Sequence, residues 1–389
     1  MKRFLKINLS NFILILIILA NLLAFTNIKI YNIYNSISLY INTISYIIIF
    51  ILQKKFDKNE IDIIIYLLLF VTYGMFTLII NKGGFGSVAI IISSILSYLI
   101  IQRCKISTLF IKINILALLL VNIFLVIKSK NYYEKFLYNQ TEYLNSNTVG
   151  IVIMFTALYI SSFIKIIQYK YNTLFILLIY IISIWGMINC KSRGALLTFF
   201  AFLLMKYIIP RKVYINKRLI IFLSILIILF GVIFTYIYVY MYLNNFNIKI
   251  PFTNKSFYTG RELIWLRYYN EVLDNPINIL FGLGSKADLY SGKDLNLHNA
   301  YLTVLTGFGI IGFLLYFSFW IAQIIKIYKK RRLSYEIINF VILFLSVLIY
   351  GYVEVSMLWH NMFIFSFMCI GLANNEYIRG VSNEIKNMV

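Results

Sequence analysis

The chain is a succession of apolar runs separated by short polar stretches, with one long hydrophilic passage between Tyr242 and His298. Each apolar run is roughly 17 to 22 residues long, close to the ~20 residues that a helix needs to cross the hydrocarbon of a membrane. Ten-residue segments of alternating polarity, which are typical of membrane β-barrels, do not occur. The pattern therefore predicts an all-α polytopic membrane protein with one large loop.

Twelve membrane-spanning helices are predicted, with both termini on one side. They cover residues 10–28, 36–53, 61–80, 85–101, 109–127, 148–168, 172–189, 193–209, 219–241, 299–322, 337–353 and 358–373. Spans one to six fall in 1–171, spans seven to nine in 172–241, the large loop in 242–298, spans ten to twelve in 299–373 and a cytoplasmic tail in 374–389. No small-residue cleavage site follows the first span, so we expect a retained helix rather than a signal peptide.

Composition and charge agree with this pattern and orient the chain. With 61% hydrophobic and 13% charged residues, the 389-residue chain has more apolar surface than a soluble core could bury. The net charge of +22 would indicate nucleic acid in a soluble protein, but here 21 basic residues map to the side of the N-terminus and 7 to the other side, leaving aside the large loop because long loops follow the charge rule poorly. We therefore expect a lipid bilayer as partner, no nucleic acid, cytoplasmic termini and an outward-facing large loop.

A helix is predicted inside the large loop. Thr259 and Glu262 have the spacing of a capping box, in which both side chains accept hydrogen bonds from backbone amides at a helix start. The helix would run to about Leu273, because the residue before Pro276 disfavours the helical conformation.

One face of this loop helix carries an aromatic pair with a guanidinium at its head, since residues three and four apart are neighbours. Its members are Arg261, Trp265, Tyr268 and Val272. Arg267, on the same helix, is a further candidate. In one interpretation Trp265 and Tyr268 rest in the lipid headgroup region and Arg261 meets a lipid phosphate. In the other, Arg261 belongs to a functional site.

Arg193 begins an apolar span on the predicted outer side, where basic residues are in the minority. Flanking arginines commonly extend toward headgroups. The alternative is that Arg193 and Arg261 together grip a phosphate, for which planar and permanently charged guanidinium groups are well suited.

His298 closes the large loop where the chain re-enters the membrane. Imidazole has the unperturbed pKa nearest to neutrality, so a histidine here could take a proton from a hydroxyl nucleophile. A helix-capping or headgroup histidine is the alternative. Glu354 and the second histidine, His360, map to another outer turn, and a structural role is favoured for both.

Two further patterns carry little chemistry. Gly307, Gly309 and Gly312 match a dinucleotide-binding spacing, but no strand precedes them, so close helix packing explains them better. Asp288 and Asp294 in the large loop are a weak metal signal. We expect neither a metal nor a cofactor.

Four motifs, in this order along the chain, resemble the O-antigen ligase and polymerase superfamily. They are Ser192-Arg193-Gly194-Ala195-Leu196-Leu197, Gly260-Arg261 with Trp265, Asn275-Pro276 before Gly282-Leu283-Gly284, and His298-Asn299-Ala300-Tyr301 ahead of the glycine pattern at 307–312. The resemblance covers roughly 172–325. The first five spans match only as generic membrane helices.

The resemblance implies a metal-independent glycosyltransferase with a C-type multi-spanning fold, which uses a glycan carried on undecaprenyl diphosphate. By the same resemblance Arg193 and Arg261 engage the diphosphate, and His298 activates the acceptor hydroxyl. The active site would lie on the outer face of a bacterial cytoplasmic membrane. A flippase and a chain-length regulator of the same pathway are the implied partners.

Members of the superfamily polymerise repeat units, ligate polymer to the lipid A core or transfer glycan to protein, and the motifs do not separate these activities. A composition rich in Ile, Asn, Lys and Tyr is typical of AT-rich bacterial genomes, and many such bacteria lack lipopolysaccharide. This favours a polymerase of capsular or O-antigen-like repeat units. A flippase for lipid-linked sugars is the rival from another class, although it should place its polar residues at the membrane midplane in paired broken helices.

Overall fold

The computed structural model describes residues 9–53, 61–81, 86–138, 144–167, 171–246, 258, 260–284, 297–329 and 333–378. No strand lies among these residues. The helices are α1 (Leu9–Ala24), α2 (Ile28–Leu52), α3 (Ile61–Asn81), α4 (Gly86–Arg103), α5 (Thr108–Tyr138), α6 (Ser146–Ile167), α7 (Asn172–Asn189), α8 (Arg193–Leu203), α9 (Arg211–Ile215), α10 (Lys217–Leu243), α11 (Arg261–Leu273), α12 (Pro276–Phe281), α13 (Ala300–Lys329), α14 (Tyr335–Tyr350) and α15 (Phe363–Asn374). A π-helical segment (Leu204–Ile208) continues α8, and a 3-10 turn (Ser356–Leu358) precedes α15.

Seven helices, namely α2, α3, α5, α6, α7, α10 and α13, are long and apolar enough to cross a membrane. Four shorter helices, α1, α4, α14 and α15, are also apolar. Each of the twelve predicted spans overlaps one of these helices or α8. The prediction of an all-α polytopic membrane protein is thus confirmed, while the number of twelve crossings and the division into regions stay predictions.

Polar side chains mark where several of the apolar helices begin. The side chains of Asn27, Asn216 and Ser334 accept hydrogen bonds from backbone amides in the first turns of α2, α10 and α14. Amides at a helix start have no partner within the helix, so such bonds fix the boundary. The polar breaks between apolar runs therefore act as helix caps.

The bundle has a buried centre and an exposed periphery. α6, α14 and α15 are buried over nearly their whole lengths, and α15 packs against both α4 and α14. By contrast α2, α3, α7 and α10 leave many large apolar side chains exposed. In water such faces would be unfavourable, so we assign them to contact with lipid.

Three helix termini are tied together at one end of the bundle. α8 packs against α14, and a Cβ added at Gly194 would lie 2.6 Å from Val353 Cγ2. The start of α13 meets the end of α14, where the Ala300 amide donates to the Gly351 carbonyl at 2.8 Å. The loop helix α11 packs against α10, which itself packs against α13. The residues that begin α8, α11 and α13 are thereby brought near the segment that follows α14.

The glycine pattern at 307–312 serves close packing, as predicted. α13 is interrupted at Gly309, whose φ is +64°. A Cβ at this residue would lie 2.3 Å from the carbonyl oxygen of Leu280. On the other side of the contact, a Cβ at Gly282, with φ of +77°, would lie 2.5 Å from the amide nitrogen of Phe308. The backbones at the end of α12 and in the middle of α13 meet here without side chains between them, so α12 packs directly against α13.

We expect Gly309→Ala to destabilise the fold. A left-handed backbone costs a residue other than glycine about 1–3 kcal/mol, and the clash with Leu280 adds to that cost. Gly307→Ala is the matched control, since a Cβ there meets nothing within 4 Å. The apparent Tm in detergent, followed by intrinsic fluorescence, should fall for Gly309→Ala and hold for Gly307→Ala. Equal apparent Tm values for the two variants would contradict the packing argument.

Candidate active site

The loop helix α11 begins one residue later than the capping-box spacing predicts. Its N-cap is Gly260, which has a left-handed φ of +87°, and Thr259 lies outside the described residues. The carboxylate of Glu262 accepts a hydrogen bond from the Gly260 amide at 2.9 Å, so it still caps the helix start. Arg261 is consequently the first helical residue of α11.

The aromatic face of α11 is buried within the protein. Trp265 and Tyr268 are each 2% exposed, and Val272 is buried beside them. The ring of Trp265 packs against Tyr238 of α10 with centroids 5.2 Å apart. The interpretation that Trp265 and Tyr268 rest in lipid headgroups is therefore wrong, because these side chains anchor the helix to the bundle.

Trp265 also positions the residue before the candidate base. Its indole N–H donates to the Leu297 carbonyl at 2.7 Å. The next residue, His298, has a left-handed backbone with φ of +50°. A positive φ is uncommon for residues other than glycine, although asparagine, aspartate and histidine adopt it more often than the rest. The chain at His298 is thus held in a specific and sharply turned conformation.

Asn299 supplies the constraint on the other side of the histidine. Its side-chain oxygen accepts the Leu302 amide at 2.8 Å, which caps α13. Its side-chain nitrogen donates to the carbonyls of Gly231 at 3.3 Å and Tyr352 at 3.0 Å. One fully buried amide therefore connects α10, α13 and the segment after α14 directly beside His298.

Glu354 joins the arginine of α11 to the histidine. One carboxylate oxygen lies 3.1 Å from Arg261 Nη2 and the other lies 3.0 Å from His298 Nδ1. The Arg261 guanidinium also donates from Nη1 to the Val353 carbonyl at 2.7 Å. Glu354 is 17% exposed and Arg261 is 20% exposed, so the cluster is only partly screened by solvent. We refer to Arg261, Glu354 and His298 as the Arg–Glu–His cluster.

Arg193 lies at the first position of α8, beside the segment that carries the cluster. The neighbouring residue, Gly194, packs closely against Val353 and lies near Tyr350. The turn before it is constrained, because Lys191 has a left-handed φ of +52° and Ser192 is buried. The structure thus brings the start of α8 to the residue that precedes Glu354, and leaves the Arg193 side chain partly exposed there.

Two secondary candidates lie apart from the cluster. Arg267 faces away, with its side chain 52% exposed and its Nε 3.2 Å from Glu271 one helical turn later. His360 bonds through Nε2 to the Asn35 carbonyl of α2 at 3.0 Å, and burial lowers the pKa of its imidazole. The hydrogen bond ties the segment before α15 to α2.

A structural role was expected for Glu354 from the sequence, whereas the structure brings it into contact with Arg261 and His298. It is the only acidic residue between Glu336 and Glu376, at the predicted outer end of a span. A lone carboxylate at that position is the signal that could have identified it, because an acid near a membrane interface needs a cationic partner. The spacing of residues along the chain does not indicate which cation pairs with Glu354.

Metal ligation has little support among the residues that the structure describes. No group of three or more His, Cys, Asp or Glu side chains there is arranged to hold an ion. Asp288 and Asp294, the weak metal signal of the large loop, lie outside the described residues. The absence of a bound metal from the reaction stays a prediction.

Part of the chain is similar to a known protein family. Residues 178–317 match the family model described as O-Antigen ligase. This match supports membership of the O-antigen ligase and polymerase superfamily. The matched part is about a third of the chain and includes Arg193, Arg261 and His298, whereas Glu354 lies beyond it. No curated protein and no solved structure matches the chain significantly.

The family match confirms the resemblance inferred from the four motifs. It supports a place for the chain in a superfamily of membrane glycosyltransferase-like enzymes. The match ends within α13, so it does not include the segment after α14. That segment joins the candidate site through the contacts described above. Those contacts place Glu354 between two residues that the motifs had singled out.

Proposed function

We propose that the protein is a membrane glycosyltransferase that polymerises oligosaccharide repeat units carried on undecaprenyl diphosphate into a surface polysaccharide, either capsule or O-antigen. The observation that carries this proposal is the Arg–Glu–His cluster, in which a guanidinium and an imidazole from distant parts of the chain meet on one carboxylate. The family match supplies the class of enzyme. The proposal includes a flippase and a chain-length regulator of the same pathway as partners of the enzyme.

In the proposed mechanism the two arginines bind the diphosphate of the donor. Cleavage of the glycosyl phosphate bond leaves negative charge on the departing diphosphate, and fixed guanidinium groups stabilise that charge as it develops. Arg261 is already aligned by the Val353 carbonyl and by Glu354. Arg193 would approach from the start of α8, beside the same segment.

His298 is the proposed general base. The carboxylate of Glu354 can only accept, so Nδ1 of His298 carries the proton of their hydrogen bond, and Nε2 then carries the lone pair. The acceptor hydroxyl gives its proton to Nε2 while its oxygen bonds to the anomeric carbon. The bond from that carbon to the phosphate oxygen breaks, and its electron pair leaves with the diphosphate.

This single displacement predicts inversion at the anomeric carbon. A product that kept the configuration of the donor would contradict it. The site would lie on the outer face of the cytoplasmic membrane, because the distribution of basic residues predicts that side for the start of α8 and the large loop.

The proposal is tested with the purified chain and a lipid-diphosphate oligosaccharide in the presence of EDTA. We expect release of undecaprenyl diphosphate together with glycans of two or more repeat units. Movement of the lipid across a membrane without bond formation would favour the flippase instead. Transfer only to lipid A core or to protein would keep the glycosyltransferase assignment and overturn the choice of polymerase.

Glu354→Gln should slow polymerisation by about 10- to 100-fold. The amide keeps the size of the side chain, but it no longer fixes the His298 tautomer or balances the charge of Arg261, so part of the general-base contribution is lost. Initial rates of product formation at equal amounts of folded protein measure the effect. Glu271→Gln is the control, since that acid pairs with the solvent-facing Arg267. Wild-type rates for Glu354→Gln would contradict the orienting role.

A further inference from the structure

A second polar group lies at the opposite end of α8 from the Arg–Glu–His cluster. Lys206 is 13 residues beyond Arg193, about 20 Å along a helix that rises 1.5 Å per residue. It falls in the π-helical segment that continues α8. Such segments are rare and are frequently found at functional sites, and a lysine inside an apolar span is equally unusual.

The ammonium of Lys206 is surrounded by aromatic rings and neutral hydroxyls. It donates to the Tyr180 hydroxyl at 3.1 Å and to Ser161 Oγ at 3.4 Å. The rings of Phe202 and Tyr207 lie 5.0 and 5.5 Å from Nζ. An ammonium has three donors, so one is left after these two hydrogen bonds.

No carboxylate balances this cation among the described residues. Its hydrogen-bond partners are both neutral, and the charge that acts on it is that of a second cation, Lys165. The chain contains no acidic residue between Glu142 and Glu262. A cation in apolar surroundings is costly unless an anion pairs with it or it loses its proton.

A buried amide without a partner lies at the same level of the bundle. The Nδ2 of Asn339 on α14 is buried and forms no hydrogen bond among the described residues. α8 and α14 run antiparallel, with Gly194 against Val353 at one end and Arg211 stacked 5.6 Å from the Tyr335 ring at the other. Between these contacts, α14 touches the π-helical segment.

The register of these two contacts puts Asn339 at about the level of Lys206 along the helices. Lys206 precedes Arg211 by five residues, and Asn339 follows Tyr335 by four. Two hydrogen-bond donors without an acceptor, together with a second ammonium, form a site for an anion. The anion can arrive from the membrane, because Leu204, Tyr207 and Ile208 are exposed on the outer surface of the segment.

We propose that Lys206, with Asn339 and Lys165, binds the phosphate group of an anionic phospholipid at the end of the bundle away from the cluster. A phosphodiester brings one negative charge and oxygen acceptors for both donors. Headgroup phosphates lie at the level where spans end, and Arg211, at an exposed position, marks that level here. The bound lipid would seal the junction of α6, α7, the π-helical segment and α14.

The test uses the full-length protein, delipidated in a neutral detergent, with phosphatidylglycerol or phosphatidylcholine added at equal mole fraction. We expect phosphatidylglycerol to raise the apparent Tm by about 2–5 °C more than phosphatidylcholine does. Lys206→Gln should lose this difference and Lys206→Arg should keep it. Arg218→Gln, which removes an exposed cation near the same end of the bundle, should also keep it.

Several outcomes would overturn the proposal. They are equal stabilisation by the two lipids, a Lys206→Gln protein that retains the difference, and a wild-type protein stabilised by inorganic phosphate but not by phosphatidylglycerol. Should Lys206→Gln fail to give monodisperse protein, Asn339→Leu provides the second variant. It removes the unpartnered amide at similar volume, and a full lipid response in that variant would count against the site.

Discussion

Arg261→Ala should lower the rate of polymer formation by about 10²- to 10³-fold, the loss typical when one fixed group that stabilises developing charge is removed. The substitution takes away the guanidinium that we assign to the donor diphosphate. It also leaves Glu354 with His298 as its remaining partner in the cluster. Initial rates with a lipid-diphosphate donor, compared at equal amounts of folded protein, measure the effect.

Two further variants separate the charge of Arg261 from its geometry. Arg261→Lys keeps the charge but cannot bond to the Val353 carbonyl and to Glu354 from one planar group, so we expect partial activity between wild type and Arg261→Ala. Arg267→Ala is the matched control on the same helix, because Arg267 is exposed and forms an ion pair with its neighbour Glu271, outside the cluster. A similar loss of activity in both alanine variants would show that charge on α11 matters in general, and would remove Arg261 from the diphosphate site.

Much of the fold could be predicted because a membrane imposes a simple pattern on a sequence. Apolar runs of helix-spanning length, punctuated by Asn and Ser caps, gave helices close to the observed ones. That Trp265, Tyr268 and Val272 share one face of α11 followed from residue spacing, since they recur at intervals of three and four. These inferences need only local geometry and the preference of apolar side chains for an apolar environment. The burial of that face did not follow from spacing, which fits a face in contact with lipid headgroups equally well.

The start of α11 shows where local patterns fail. A capping box requires a Thr side chain at the N-cap, yet the helix begins after Gly260, whose left-handed backbone turns the chain into the helix. Glu262 fits either arrangement, because its carboxylate reaches a backbone amide in both. Residue spacing therefore cannot distinguish two helix starts that differ by one residue. The observed start makes Arg261 the first helical residue.

The centre of the site could not be predicted for a different reason. Glu354 lies 56 residues from His298 and 93 from Arg261, so their meeting depends on how α10, α13 and α14 pack. That packing is fixed by contacts such as the bonds from Asn299 to Gly231 and Tyr352, which have no local signature. The same limit applies to His360, whose ties to Asn35 of α2 span 325 residues.

The cluster also has a physical consequence for donor binding. Glu354 holds Arg261 by one carboxylate oxygen and His298 by the other. A diphosphate that approaches Arg261 competes with Glu354 for the same donors, and its greater negative charge favours it in that competition. Glu354 would then interact mainly with His298. Donor binding would in this way strengthen the hydrogen bond between Glu354 and His298. The loss of that bond in Glu354→Gln would then lower the rate further.

The second large effect is expected for His298→Asn, which should reduce polymer formation by about 10²- to 10⁴-fold, the contribution of a well-placed general base. Asparagine is chosen because it adopts the left-handed backbone of this residue more readily than alanine, so the turn before α13 should persist. Binding of the lipid-diphosphate donor should change little, because Arg193 and Arg261 are untouched. Measurements of donor binding and of turnover on the same sample separate the two steps.

His360→Asn is the control for His298→Asn, since it alters the other histidine of the chain. It loses the bond to the Asn35 carbonyl that ties the segment before α15 to α2, so we expect a lower apparent Tm with near-normal turnover per folded molecule. The opposite pattern, with turnover lost in His360→Asn and retained within about threefold in His298→Asn, would move the base to the other histidine. Equal loss in both would show that the turns matter and not the imidazole. Only a selective loss in His298→Asn agrees with a proton transfer at the cluster, because that is the one histidine whose Nδ1 faces a carboxylate among the described residues.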